Sequence, residues 1–185
     1  MLEFNLLEGE EILKEIKPLS ALRNIIFIRQ FVFFLLVYFI IFAYVLVLLM
    51  PPLGYDLQVW LFTLFAIVLI LSILTSFILS LISYDKYYYW ITNKRVIVKS
   101  GIIGYKISSI PYERISDIVI SRSILERLFG VTSLHIQSLA GQLTPSPYSK
   151  MGSEGNLLAV YNARELQSMI WELVKKKRKE EGLTF

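Results

Sequence analysis

The stretch FVFFLLVYFIIFAYVLVLLM, residues 31–50, carries no charged side chain. At 1.5 Å rise per residue, 20 helical residues reach about 30 Å, the thickness of a bilayer's hydrocarbon core. After Pro51-Pro52-Leu53-Gly54-Tyr55-Asp56 comes a second uncharged run of 26 residues, Leu57–Ile82. Proline and glycine interrupt a helix, so the two runs read as an antiparallel hairpin across 31–82, with spans at 31–50 and 57–82. A single run of this length also describes a buried core helix; two in tandem in 185 residues point to the membrane.

The flanking residues set an orientation. Lys14, Lys17, Arg23 and Arg29 precede the first run, Lys86, Lys94, Arg95 and Lys99 follow the second, and the connection between them has no basic residue. The positive-inside rule then places the chain in the cell membrane with both termini cytoplasmic, so that residues 1–30 form a cytoplasmic N-terminal segment. That segment is dominated by Glu3, Glu8, Glu10, Glu11 and Glu15 and lacks the basic start of a cleaved signal. The spans hold no Asp, Glu, Lys, Arg or His between Arg29 and Asp56 or between Asp56 and Asp85, which argues against an ion or proton path through them. Ser72, Ser76 and Ser80 recur at four-residue spacing on one helix face, a small-residue packing stripe for the other span or for a partner helix.

Composition narrows the chemistry. Apolar residues make up 55% of the chain, above the roughly 45–50% of a soluble domain. There is no cysteine, and His135 is the only histidine. This removes disulfides, thiolate nucleophiles and Cys/His metal sites, so no metal and no cofactor are expected. Net charge is −1 over residues 1–30, −1 over 31–82 and +6 over 83–185. The basic character belongs to the last segment.

That segment reads as mainly β. Strand candidates are Tyr87–Thr92, Arg95–Lys99, Tyr105–Ile110, Ile115–Ser121, Thr132–Ser138 and Leu157–Tyr161, separated by Asn93-Lys94, by Gly101 to Gly104 and by Pro111. Ser123–Phe129 suggests a helical turn capped by Gly130. Residues 162–179 form an amphipathic helix with Leu166, Met169, Ile170, Leu173 and Val174 on one face, and Asn162 with Glu165 suggests a capping box at its start. Six such short, mostly antiparallel strands, closed by one apolar-faced helix, describe a barrel or bent sandwich plugged at an open end. Its helix ends in Lys175, Lys176, Lys177, Arg178 and Lys179, candidate contacts for an anionic membrane surface. His135 falls with Ser133 and Gln137 on the polar face of its strand and is expected in solvent. There is no nucleophile elbow and no glycine-rich phosphate loop, so no catalytic residue is assigned and the chain is not expected to be an enzyme. No nucleic-acid reading motif is present either.

Several strings occur in a familiar order: Tyr89-Trp90-Ile91-Thr92-Asn93-Lys94-Arg95, then Gly101, then Ile110-Pro111-Tyr112-Glu113-Arg114-Ile115, then Leu125-Glu126-Arg127-Leu128-Phe129-Gly130 and Ala140-Gly141. In this order they resemble the bacterial pleckstrin-homology (PH-like) domain of small YdbS-like membrane proteins, as do the two helices placed before them. The resemblance implies a seven-stranded PH-like barrel capped by the C-terminal helix, spanning 83–185. The seventh strand then lies within Leu139–Asn156 or is lost. It also implies structural roles for Thr92, Arg95, Gly101, Pro111, Arg114, Arg127 and Gly130, with the arginines expected to fix turns or pair with Glu113 or Glu126. The function expected is a membrane-anchored cytoplasmic binding or scaffold module. Its partners would be anionic membrane lipid and another membrane protein, one with several PH-like domains or a second copy of this chain. The alternative is an accessory subunit of a transport or channel complex.

Overall fold

The computed structural model describes residues 4–48, 56–138, 153–180 and 182. The chain runs β1 (Ile12–Ile16), α1 (Ala21–Leu48), α2 (Asp56–Tyr84), β2 (Tyr88–Thr92), β3 (Arg95–Ser100), β4 (Lys106–Pro111), β5 (Ile115–Ser121), α3 (Ile124–Leu128), β6 (Thr132–Ser138), β7 (Ser153–Val160) and α4 (Ala163–Glu180). A 3₁₀ turn, Tyr112–Arg114, links β4 to β5. The strands form two antiparallel sheets, β1-β2-β3-β4 and β5-β6-β7. This is the antiparallel, helix-capped architecture expected from the sequence.

Aromatic and β-branched residues make β2 and β3 strands, and both faces are used. Tyr89, Ile91, Val96 and Val98 enter the main core, whereas Trp90 and its cross-strand neighbour Ile97 are buried on the other face. Trp90 is covered there by the edge of Phe4, 5.0 Å between ring centres. In β5 the alternation fails around Ile118–Ile120, and an irregular register appears nearby, between Ile115 and Asp117. Along α4, Leu166, Ile170 and Val174 are buried against the core and Met169 and Leu173 partly so. The apolar stripe read from the sequence is the face that closes the sheets.

The N-terminal segment differs from expectation. Residues 12–16, taken with 1–30 as a separate cytoplasmic segment, are a strand of the first sheet: Ile12 pairs with Thr92 and Ile16 with Tyr89. This β1 is the seventh described strand. Residues 139–152, within which a seventh strand was one expectation, lie outside the described residues, and 153–156 belong to β7. The first helix likewise begins at Ala21 rather than at residue 31. Arg23 and Arg29 lie ahead of the uncharged run but inside the helix, and Leu22 and Ile26, one turn apart, are buried in the β-domain core. The reciprocal capping box described here is at Ser123 and Glu126 in α3. At the start of α4, the Asn162 amide donates to the Glu165 carboxylate at 3.2 Å, and Asn162 itself has φ of 51°.

A helical hairpin is therefore inserted between two paired strands, and its two ends leave from one end of the β-domain, called the near end below. The register shows which loops lie there. β2 begins just after α2, its Tyr88 opposes Lys99, and Lys99 opposes Ile107, so the β3–β4 turn is at the near end. The Leu19 amide donates to the Ala159 carbonyl (3.0 Å), and Val160 opposes Thr132, which puts the β5–α3–β6 and β7–α4 connections there too. Tyr84 Oη donates to the Pro18 carbonyl at 2.9 Å, and Lys17 sits over the Tyr84 and Tyr88 rings, 5.3 Å from each centre. The β2–β3 turn and the 3₁₀ turn lie at the far end.

At the far end β1 is locked to β2 and β3. The Glu10 side chain is fully buried and accepts from Arg95 Nε at 2.8 Å and Nη2 at 2.9 Å, a bidentate pair. Arg95 also donates to the Asn5 carbonyl (2.8 Å) and to Ser109 Oγ (3.1 Å). Burial alone would raise the Glu10 carboxyl, but hydrogen bonds from Arg95, the Leu7 amide and Thr92 outweigh it and hold it below the usual 4.5.

Removing one partner of a buried pair leaves the other charge uncompensated, at a cost of about 3–5 kcal/mol. Arg95→Met is therefore expected to lower the unfolding free energy by about that amount, measured by denaturant unfolding of the β-domain in detergent. The exposed Arg114→Met should shift it by less than about 0.5 kcal/mol.

A pH dependence follows from the same groups. Glu126 also sits below its usual value, because Ser133, the Ser123 amide and Ser123 Oγ outweigh burial. For both carboxyls the unfolded state takes up protons first as pH falls. Their contribution is fully present above pH 4.5 and is lost progressively below it. Melting temperature should hold between pH 6 and about 5 and drop below about 4.5, the drop shrinking in Glu10→Gln.

Candidate functional site

Thr92 and Arg95 work together in the β2–β3 turn. Thr92 Oγ1 accepts from the Lys94 amide (3.1 Å) and the Arg95 amide (3.0 Å), closing a side-chain-mediated turn, and its hydroxyl faces Glu10 Oε1 at 2.8 Å. The buried Tyr112 hydroxyl donates to the Thr92 carbonyl at 2.6 Å, and burial raises its pKa. This cluster ties the β2–β3 turn to the segment before β1, and its acid is Glu10, a residue the sequence reading did not single out. Arg114 and Arg127 are exposed and make no ion pair with Glu113 or Glu126 among the described residues. Glu126 instead receives the Ser123 amide (2.6 Å) and the Ser133 hydroxyl.

Pro111 ends β4 with φ of −63° and leads into the 3₁₀ turn. Gly101 opens the β3–β4 turn, where a Cβ would lie 2.0 Å from the Gly104 carbonyl oxygen, so no other residue fits unchanged. Gly130 has φ of +69° just beyond the Phe129 cap of α3, the left-handed end that the sequence suggested. Ser72, Ser76 and Ser80 are buried within the chain, on the helix whose neighbour is α1, and each hydroxyl donates to a carbonyl of its own helix. Of the two readings of that stripe, packing inside the hairpin matches this burial.

His135 is not in solvent. It is buried between strands, with Nε2 at 2.6 Å from Ser121 Oγ and Nδ1 at 2.6 Å from Asn156 Oδ1. A proton on Nδ1 donated to the Asn156 carbonyl leaves Nε2 to accept from Ser121, the donor order of a hydrolase relay. Ser121, however, lies in ordinary strand register opposite Ser133, not on a sharp strand-to-helix elbow. The chain of bonds ties β5, β6 and β7 side to side. The sequence carried its residues but no sign of their contact, because Asn156 stands directly opposite His135 and Ser121 diagonally across from it, pairings set by the register of strands distant in the chain. Among the described residues no cluster of three or more His, Cys, Asp or Glu side chains is placed to hold a metal.

The basic run 175–179 does not form one surface. Lys177 pairs with Glu180 at 3.6 Å, Arg178 Nη2 donates to the Ile115 carbonyl at 2.6 Å, and Lys175, Lys176 and Lys179 are exposed. α4 starts at the near end after β7 and its 18 residues carry it about 27 Å, so the run sits at the far end, beside the 3₁₀ turn. The apolar helices leave from the opposite end.

The near end instead holds an open cleft of about 610 Å³ between the ends of β5–β7 and the start of α4. Arg122, Arg164, Glu165, Ser121, Thr132 and Tyr161 line it. Two guanidinium groups beside hydroxyls can take an anion such as a phosphate ester, with Glu165 limiting the space. Arg122 Nε is held by the Val131 carbonyl at 3.1 Å, and Glu165 lies 3.6 Å from Lys14.

No curated protein and no solved structure matches this sequence. The sequence does match the family described as Bacterial PH domain over residues 26–174. The match runs through both long helices and β2 to β7 and leaves β1 outside it. The Thr92–Arg95 clasp, the two antiparallel sheets and the closing α4 helix agree with it: the chain belongs to the bacterial PH domain family.

Proposed function

We propose that this protein is a membrane-anchored binding module. The α1–α2 hairpin crosses the bilayer, and the PH-like domain presents a binding surface on the cytoplasmic side to anionic lipid and to another membrane protein. PH domains are in general binding modules without catalysis, and the site chemistry agrees with that. The observation that carries the reading is the state of the two helices. Each is long and apolar enough to cross a membrane, yet only 6% of the first span and 17% of the second are buried by the rest of the chain. Phe33, Leu36, Ile40, Ile70, Phe77 and Ile78 are all more than half exposed. A core helix of a soluble protein would have these side chains covered; hydrocarbon covers them here.

Membership in a YdbS-like branch, in which a second PH-like membrane protein is the partner, is supported by the order of motifs and by the helix pair. The accessory-subunit reading rested on the serine stripe, and burial of that stripe inside the chain leaves it without a free docking face.

Cysteine scanning tests the topology directly, because the chain has no cysteine. A membrane-impermeant maleimide should label Gly54→Cys in intact cells and Lys179→Cys only after permeabilisation. The reverse pattern would invert the orientation, and release of the protein by alkaline carbonate would refute the anchor.

A further inference from the structure

Apart from the two long helices, large apolar side chains are most exposed at the near end of the β-domain. Ile102 and Ile103 form the tip of the β3–β4 turn, Tyr105 closes it, Ile124 and Leu128 point out from α3, and Tyr161 follows β7. Ile103 is 79% exposed, Ile124 88% and Leu128 74%. They sit on three separate connections, all of which the register brings to the end where α1 and α2 depart. A soluble domain gains nothing from placing isoleucine at a turn tip; here each tip has a basic neighbour. Lys99 lies over the Tyr105 ring at 4.6 Å and Lys86 at 6.0 Å, while Lys106, Arg122 and Arg127 are exposed beside them.

The contact between Lys86 and Tyr105 fixes the height of the turn. Lys86 is two residues past the end of α2, and Ile102 and Ile103 extend beyond the Ser100–Lys106 pair, back toward that helix. α3 lies against α1 in the same way. We infer that the β3–β4 turn and α3 are lipid-docking tips: Ile102, Ile103, Ile124 and Leu128 enter the bilayer interface beside the helices while the surrounding lysines and arginines meet anionic headgroups. This inference rests on the membrane-anchor reading and deepens it. Apolar tips ringed by cations match an anionic lipid surface in both burial and charge. The far-end cations at 175–179 then face the cytoplasm.

The test uses full-length protein with single cysteines at Ile103, Leu128, Lys179 and Ile40, each labelled with an environment-sensitive nitrobenzoxadiazole dye. All four positions are exposed on the chain surface, so the labels leave the core intact. Each sample is reconstituted in phosphatidylcholine–phosphatidylglycerol liposomes. The dyes at 103 and 128 should emit to the blue of the dye at 179. They should be several-fold less quenched by aqueous iodide and several-fold more quenched by nitroxide-bearing lipid. Iodide quenching at 103 and 128 equal to that at 179 overturns the inference. Shielding from iodide without quenching by lipid nitroxide also overturns it, in favour of a protein contact. Ile40 separates the two levels: if its dye is quenched by lipid nitroxide and those at 103 and 128 are not, the tips fail and the anchor stands. If Ile40 is not quenched either, both fall.

Discussion

The antiparallel pairing of β1 with β2 is the constraint on which the rest depends. These strands are adjacent in the sheet but separated in the chain by two helices of 28 and 29 residues. Pairing them returns the chain to its starting edge, so both helices must leave from the same end of the β-domain. Glu10 and Arg95 secure the far end of the pair, and the Tyr84–Pro18 bond and Lys17 bracket the near end. The loop-closure cost of joining distant strands grows only slowly with the length between them, and the helical hairpin is itself ordered, which lowers it further. Leu22 and Ile26 extend the core into the first turns of α1. Domain and hairpin are therefore one packed body rather than a domain on a flexible tether.

From that constraint the domain acquires two chemically different ends. The far end holds the carboxylates of Glu8, Glu10, Glu11 and Glu113 with the basic end of α4, and its central pair is dry and satisfied. The near end holds lysines, arginines, exposed isoleucines and an open cleft. On the membrane-anchored reading proposed above, this end, at the foot of the two apolar helices, is the one that faces the bilayer.

Much of this was legible from local pattern. Hydropathy marks both long helices, short β-prone runs between turn residues mark six strands, and the 3.6-residue stripe from Leu166 to Val174 marks α4. Most of what escaped depends on contacts between distant residues. ILKEI at 12–16 does alternate, with Ile12, Lys14 and Ile16 half-buried and Leu13 and Glu15 exposed. But its partner lies some 75 positions on, and the acidic residues around it read only as part of a cytoplasmic N-terminal segment. The start of α1 was hidden because charge, not helix periodicity, marked the boundary. His135 looked solvent-facing because the polar side chains that cover it, Ser121 and Asn156, come from neighbouring strands distant in the chain. The basic run at 175–179 was visible as charge, whereas its distance from the helices emerges only from strand direction.

Hydrogen exchange of the full-length protein in lipid nanodiscs measures the central pairing most directly. If β1 is a strand of the sheet, the amides of Ile12–Ile16 will be protected to the same degree as those of Tyr88–Thr92, and both will lose protection together in Arg95→Met. Exchange of residues 12–16 at the rate of an unstructured tail, with β2 still protected, would contradict the account.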